Sequence, residues 1–351
     1  MKHKMFCFLI ALLILSTGCS KQQEVVKVEP EIETEEKDVV EEETEADPPE
    51  QVFDHTYPLT GIGTNDSVDY RAVAVTVNNH PKARPQTGLH KADIIYEVLA
   101  EGNVTRFVAI YQSEKAEIIG PVRSARDYFI DLSKGFNAFY IAHGWSPKAK
   151  QMLESGKVDN INGLFYDGTL FWRSKDRKAP HNSYISFENI EKGAEKKNYD
   201  LTVKPKSYTF LTEEDIANLD GDASNHVTIA YDSSKTWKVE YNYDSQSEKY
   251  NRYSAEVQTV DKESKSPVLL DNIFIVEMDH KVIDKAGRRD INLTSGGKGW
   301  LLQKGLKTEV EWKNVEGRII PFKDGTEIGF VPGKTWINIV PTLKAVTFDE
   351  N

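Results

Sequence analysis

Cysteine is almost missing: the 351-residue chain holds two, Cys7 and Cys19. Cys7 falls inside an N-terminal targeting segment, so the mature chain has no pair to bridge, and its stability must come from core burial. Long apolar runs are just as scarce. The main one, Met5 to Leu15, is too short for a permanent membrane span and follows Lys2 and Lys4, which reads as a secretory signal peptide over residues 1–18. Excess positive charge is missing too. Residues 51–351 carry a net charge of −3, which argues against nucleic acid as a partner. The patterns GxSxG, HExxH and GxxxxGK[ST] do not occur, so no serine-hydrolase elbow, zincin helix or phosphate loop is marked.

What is present begins at the cleavage point. Leu15-Ser16-Thr17-Gly18-Cys19 resembles a bacterial lipobox, which implies a lipid on the Cys19 sulfur, palmitate among its acyl chains, and attachment to the outer face of the cell membrane. Residues 19–51 then read as a lipidated N-terminus and tether. Residues 21–50 hold thirteen Asp or Glu against three Lys. Such a segment repels itself, buries little, and is expected to stay extended and disordered.

Beyond the tether the chain divides into two halves. Residues 52–202 alternate strand and helix signals: DYRAVAVTVNN, ADIIYEVLAEG, VTRFVAIYQS and NAFYIAHGW read as strands. SPKAKQMLESG and SFENIEKGAEKKNY read as helices capped by Ser146 and Ser186. GPVRSAR, residues 120–126, reads as a helix start with Pro121 at its first position. Val122, Ala125, Phe129, Leu132 and Phe136 would form its buried face. Residues 203–351 open with a short helix at TEEDIANL and continue as strands and turns, including HVTIAY, TWKVEYNYD, YNRYSAE, NIFIVEM and TWINIVP. The expected fold class is therefore α+β or mixed α/β, with an N-terminal mixed α/β sheet domain and a C-terminal β-rich domain.

Charge in the first half raises the functional question. Arg123 and Arg126 would sit where the helix macrodipole is already positive, an unfavourable place for cations. Arg84, Arg106, Arg173 and Arg177 lie in neighbouring segments, together with His143, Ser146, His181 and Asn182. If the helix starts converge with the Arg-rich loop, the result is a pocket for phosphate or carboxylate. The same arginines can instead be structural partners of Asp93, Glu97, Glu101 or Asp127. His143 and His181 are the candidates for general acid or base. Asp167 beside them could complete a metal set, but no ligand spacing marks one, and no cofactor is expected. In the second half, Trp237, Val239, Tyr241 and Tyr243 share a strand face with Tyr250 and Tyr253 opposite, which reads as cross-strand packing or an aromatic docking face. SGGKGW, residues 295–300, reads as a Gly-rich turn.

The order RPQTGLHKADIIYEVLAEGNVTRFVAIYQS, GPVRSAR, HGWSP and DRKAPHNSY resembles the YerB-like family of bacterial lipoproteins, from about residue 70 to the end. The resemblance implies a domain of unknown function followed by a smaller C-terminal one. Its signature positions would be Arg84-Pro85, Arg106, Gly120-Pro121 with Arg123 and Arg126, and Pro180-His181-Asn182. It implies no reaction. The combined expectation is a membrane-anchored extracytoplasmic protein that binds an anionic envelope component through the arginines and His181. A hydrolase or transferase acting on an envelope polymer, or a scaffold docking another envelope protein, remain as alternatives.

Overall fold

The computed structural model describes residues 52–349. The signal peptide, Cys19 and the acidic tether lie outside the described residues.

Fully buried apolar runs build the centre. Strand β1 (Val73–Asn78) pairs antiparallel with β3 (Val104–Tyr111), which pairs antiparallel with β2 (Ile94–Glu101). Ala72 and Ala74 point into one core while Val73, Val75 and Val77 point into another. This sheet is therefore covered on both faces, which explains why its strands read as continuous rather than alternating apolar runs.

Helix α1 spans Asp127–Lys134 and leads to β4 (Phe139–Ala142), which runs parallel to β1. Helix α2 (Pro147–Glu154) starts at the Ser146 cap, whose hydroxyl accepts from the Ala149 N–H. Strand β5 (Asn160–Asn162) extends the sheet beyond β4. Strands β6 (Phe171–Arg173) and β7 (Ser183–Ser186) form a small sheet with residues 118–119, and β7 runs into α3 (Phe187–Lys197), capped by Ser186. The TEEDIANL helix, α4, is confined to Glu213–Ala217 with Thr212 in a capping box.

The GPVRSAR expectation needs correction. Residues 120–126 are extended, not helical. Their backbone N–H groups are already taken: Val122 donates to Ser183 O, Arg123 to Thr76 O and Ala125 to Gly144 O, at 2.7, 2.8 and 3.0 Å. Donors held by neighbouring segments cannot close an i to i−4 ladder. The helix begins at Asp127, with Arg126 as its cap residue. The apolar residues predicted for its face are all buried, but Val122 and Ala125 reach the core from the extended run.

The second half is strand-rich. Its hairpins contribute β8 (His226–Ala230), β9 (Lys238–Asp244), β10 (Lys249–Ser254) and, at one edge, β11 (Val257–Gln258) to a second, six-stranded sheet. Strands β12 (Asn272–Glu277), β13 (Gly297–Gln303), β14 (Leu306–Val315) and β15 (Arg318–Lys323) instead join the first sheet. The joint is β16 (Thr335–Val340), which lies parallel to β12 on one side and to β2 on the other. One twelve-stranded mixed sheet thus passes through both sequence halves.

The aromatic docking face is also corrected. Tyr241 and Tyr250 are 0 % exposed and belong to the core between the two sheets. Tyr253 pairs with Glu240, three register positions away from the Tyr243–Tyr250 pair, an odd step, and so projects from the opposite face. SGGKGW enters β13 from a turn at Gly296, whose φ is +67°.

Candidate functional site

Parallel neighbours β1 and β4 end on the same side of the sheet, at Asn78 and His143. Open sheets with parallel strands commonly offer ligand sites at such ends. Asn78 Oδ1 accepts from the His80 N–H at 3.0 Å, which leaves its amide nitrogen to donate to His181 Nδ1 at 2.9 Å. The neutral His181 ring therefore carries its proton on Nε2. His80 is set the same way, because its Nδ1 accepts from the Lys82 N–H at 3.1 Å. The two rings stack with centroids 4.5 Å apart. Burial lowers the pKa of both, and nearby cations add to the effect: Lys82, Arg84 and Arg123 for His80, and Arg123, Lys82 and Arg177 beside His80 itself for His181.

Arg123 reaches this pair from the extended 120–126 run. Its main chain is stitched on both sides, donating to Thr76 O and accepting from the His143 N–H. Its guanidinium makes no hydrogen bond or ion pair among the described residues, and its Nε is buried without a partner. Burial lowers its pKa to about 10, and the charges that act on it, Arg106 and Arg173, push the same way. A half-buried cation facing only cations is in a position that a bound anion would relieve.

His143 is held firmly. Its Nδ1 lies 2.7 Å from Ser183 Oγ and its Nε2 2.7 Å from Arg173 Nη2. Arginine can only donate, so Nε2 accepts and Nδ1–H faces the serine. Burial, then Arg173, lowers the His143 pKa to about 4, against a smaller opposing effect of Asp167. The ring is neutral, with both nitrogens engaged, and Ser183 is 1 % exposed. This pair has the atoms of a nucleophile and base without access for a substrate. Ser146, the serine three residues after His143, is occupied as the α2 cap.

The remaining candidates divide. Arg106 and Arg126 both grip Glu101, Arg106 at 2.7 Å, and both are buried. They behave as structural ion-pair partners, with a carboxylate between them. Asp127, the other proposed partner of Arg123, pairs with Lys148 at 2.6 Å instead. Arg177 donates to Ala83 O and Pro85 O and to the Tyr184 hydroxyl, which latches the 83–85 loop. Arg173 bridges Asp167, Asn182 and His143, and Asn182 is buried. Among the described residues Arg84 bonds only to Asn79 and the Thr236 carbonyl. The starts of α1 and α2 do meet, at a hollow of about 230 Å³ lined by Arg126, Asp127, Ser146, Lys148 and Arg288, but the 173–182 loop takes no part in it. Among the described residues no three His, Cys, Asp or Glu side chains are grouped to share a metal ion.

His80, Asn78 and Ser183 escaped the sequence reading. A polar run directly after a buried strand, Asn78-Asn79-His80, was the available signal for the first two. Ser183 had none, because only the fold brings it to His143.

A mixed sheet flanked by helices in its first half, completed by strands from a β-rich second half, defines a two-part protein with a cationic cluster at its strand ends. Models of a protein family match both parts: "Protein of unknown function (DUF3048) N-terminal domain" over residues 59–200, and its C-terminal domain over residues 227–337. The chain belongs to this family. It is 53 % identical over 295 residues to "Putative lipoprotein YerB" of Bacillus subtilis (strain 168), an alignment covering 84 % of this chain and 88 % of that one. The crystal structure of the YerB protein from Bacillus subtilis superposes with a TM-score of 0.80 at 52 % identity, covering 84 % of this chain and all of that one. No helix among the described residues is long and apolar enough to cross a membrane.

Proposed function

We propose that this protein is a lipoprotein anchored through Cys19 on the outer face of the cell membrane, and that it holds an anionic group of an envelope component at Arg123. The anchor rests on the lipobox-like residues 15–19 and on the relative's name. A single observation carries the binding reading: among the described residues the Arg123 guanidinium has no hydrogen-bond or ion-pair partner, and the charges that act on it are cations. The stacked His80 and His181 rings offer Nε2–H donors beside it, and Arg173 adds a second guanidinium. Phosphate and carboxylate both suit such a set, because a planar guanidinium grips either with two parallel bonds.

The test is a thermal melt of the full-length chain in detergent, with and without sulfate, inorganic phosphate and a teichoic acid fragment. An anion at a hundred times its dissociation constant adds about 2.7 kcal/mol of stability. The expected result is a salt-sensitive shift that Arg123→Ala removes. A shift of equal size in the variant, or none in the wild type, overturns the reading. Cys19→Ala should release the chain from the membrane fraction, and persistence there would refute the anchor.

A further inference from the structure

A second site lies on the other side of the 79–86 loop. There a cleft of about 340 Å³ separates this loop from the β10–β11 hairpin, a volume within the range of small-ligand pockets. Asn79, Pro81 and Arg84 line one wall, and Ser254, Val257 and Gln258 the other. Three features of these walls are unfinished. The Ser254 hydroxyl is buried without a partner on a residue 6 % exposed. Arg84 has no carboxylate among its hydrogen-bond partners, and its Nη2 makes no bond. Glu97, the acidic group nearby, is fully buried and already accepts from Arg252, Asn79, Thr105 and Trp336. Arg252 cancels its charge, so Arg84 remains as the uncompensated cation.

The third feature is the sheet edge. Strand β11 ends the six-stranded sheet and follows β10 through a tight turn at Ala255 and Glu256, both at positive φ. The Thr259 N–H donates to Arg252 O at 2.7 Å, and the next pair in register is Tyr253 with Gln258. Bonded and non-bonded pairs alternate in an antiparallel ladder, so the Gln258 N–H and C=O point away from β10. No backbone group among the described residues pairs with them. Val257, 69 % exposed, adds an apolar surface at the same edge. An open strand edge recognises extended backbone, which small anions and sugars do not provide.

We propose that this cleft takes a short extended peptide bearing a free carboxylate, its backbone paired with the Gln258 edge and its carboxylate held by Arg84. Ser254 supplies a hydroxyl to the bound chain, and Val257 and Pro81 cover an apolar side chain. This site uses none of Arg123, His80, His181 and Arg173, although Arg84 acts on His80 across the loop.

Calorimetric titration of the full-length protein with N-acetyl-Val-Val, as the acid and as the C-terminal amide, tests the assignment. The acid is expected to bind at least tenfold more tightly than the amide. Gln258→Pro removes the outward N–H without touching the ladder, and should abolish binding that Gln258→Ala retains. Val257→Glu, at an exposed position, should weaken the acid about tenfold by repulsion, and Arg84→Gln should abolish the preference for acid over amide. Equal binding of acid and amide, equal behaviour of the Pro and Ala variants, or no binding at millimolar acid would each overturn the proposal.

Discussion

Arg123 and Arg126, three residues apart, differ in what faces them. Arg126 and Arg106 share Glu101, so Glu101→Gln leaves two buried guanidinium groups short of a charged acceptor. Loss of charged hydrogen bonds of this kind costs about 1.5–3 kcal/mol, to be read from urea unfolding. Arg123→Ala removes no bond and is expected to change stability by less than about 1 kcal/mol. His143 makes a pH prediction. Its ordinary pKa of 6.5 falls to about 4 in the folded protein, so between those values the unfolded chain binds the proton and the folded one does not. Its contribution is therefore complete above pH 6.5 and is lost as pH falls toward 4, at up to about 1.4 kcal/mol per pH unit. His280, lowered to about 4 by burial and Arg289, adds a second such group. Unfolding between pH 4 and 7 should show a shallower slope in His143→Gln, and an unchanged slope would refute the assignment. The anion site has its own pH signature. A bound anion favours the charged histidines, so sulfate affinity should rise as pH falls below 6.5, and His80→Gln with His181→Gln should flatten that rise.

Among the elements, helix ends were legible and one helix start was not. Ser146 and Ser186 cap their helices as their sequences indicate, because a cap depends on residues within one turn. Ser186→Ala should cost about 1 kcal/mol, seen as a lowered melting temperature. GPVRSAR misled for a physical reason. Its apolar spacing and proline fit a helix, but Thr76, Gly144 and Ser183 supply acceptors from segments far away in sequence. A close approach fixes another element: a Cβ on Gly163 would fall 2.2 Å from His143 Nδ1. That contact explains glycine just after β5.

At the scale of the whole molecule, β16 is the decisive strand. It comes from the end of the chain and pairs with β2 of the first half and β12 of the second. Arg252 crosses between the sheets to the buried Glu97, with its guanidinium 4.4 Å from the Trp336 ring centre. The two sequence halves should consequently unfold together, in one transition that fluorescence and circular dichroism report alike; two separated transitions would refute this. Trp336→Ala, at a fully buried position, should lower stability by about 3–5 kcal/mol in the same experiment.

The strands, the capped helices and the family were determined by the sequence alone, because buried runs, caps and a long ordered set of motifs are local properties of the chain. The six arginines were visible there too, but not their division: Arg106, Arg126 and Arg173 pair with carboxylates, Arg84 and Arg177 bond neutral groups, and Arg123 has no partner among the described residues. Only the tertiary structure decided that, since Glu101 can reach Arg106 and Arg126 while Arg123, its main chain held extended between Thr76 and His143, makes no ion pair among the described residues. Charge and spacing are written in the chain. Which charges meet depends on how distant strands bring their ends together.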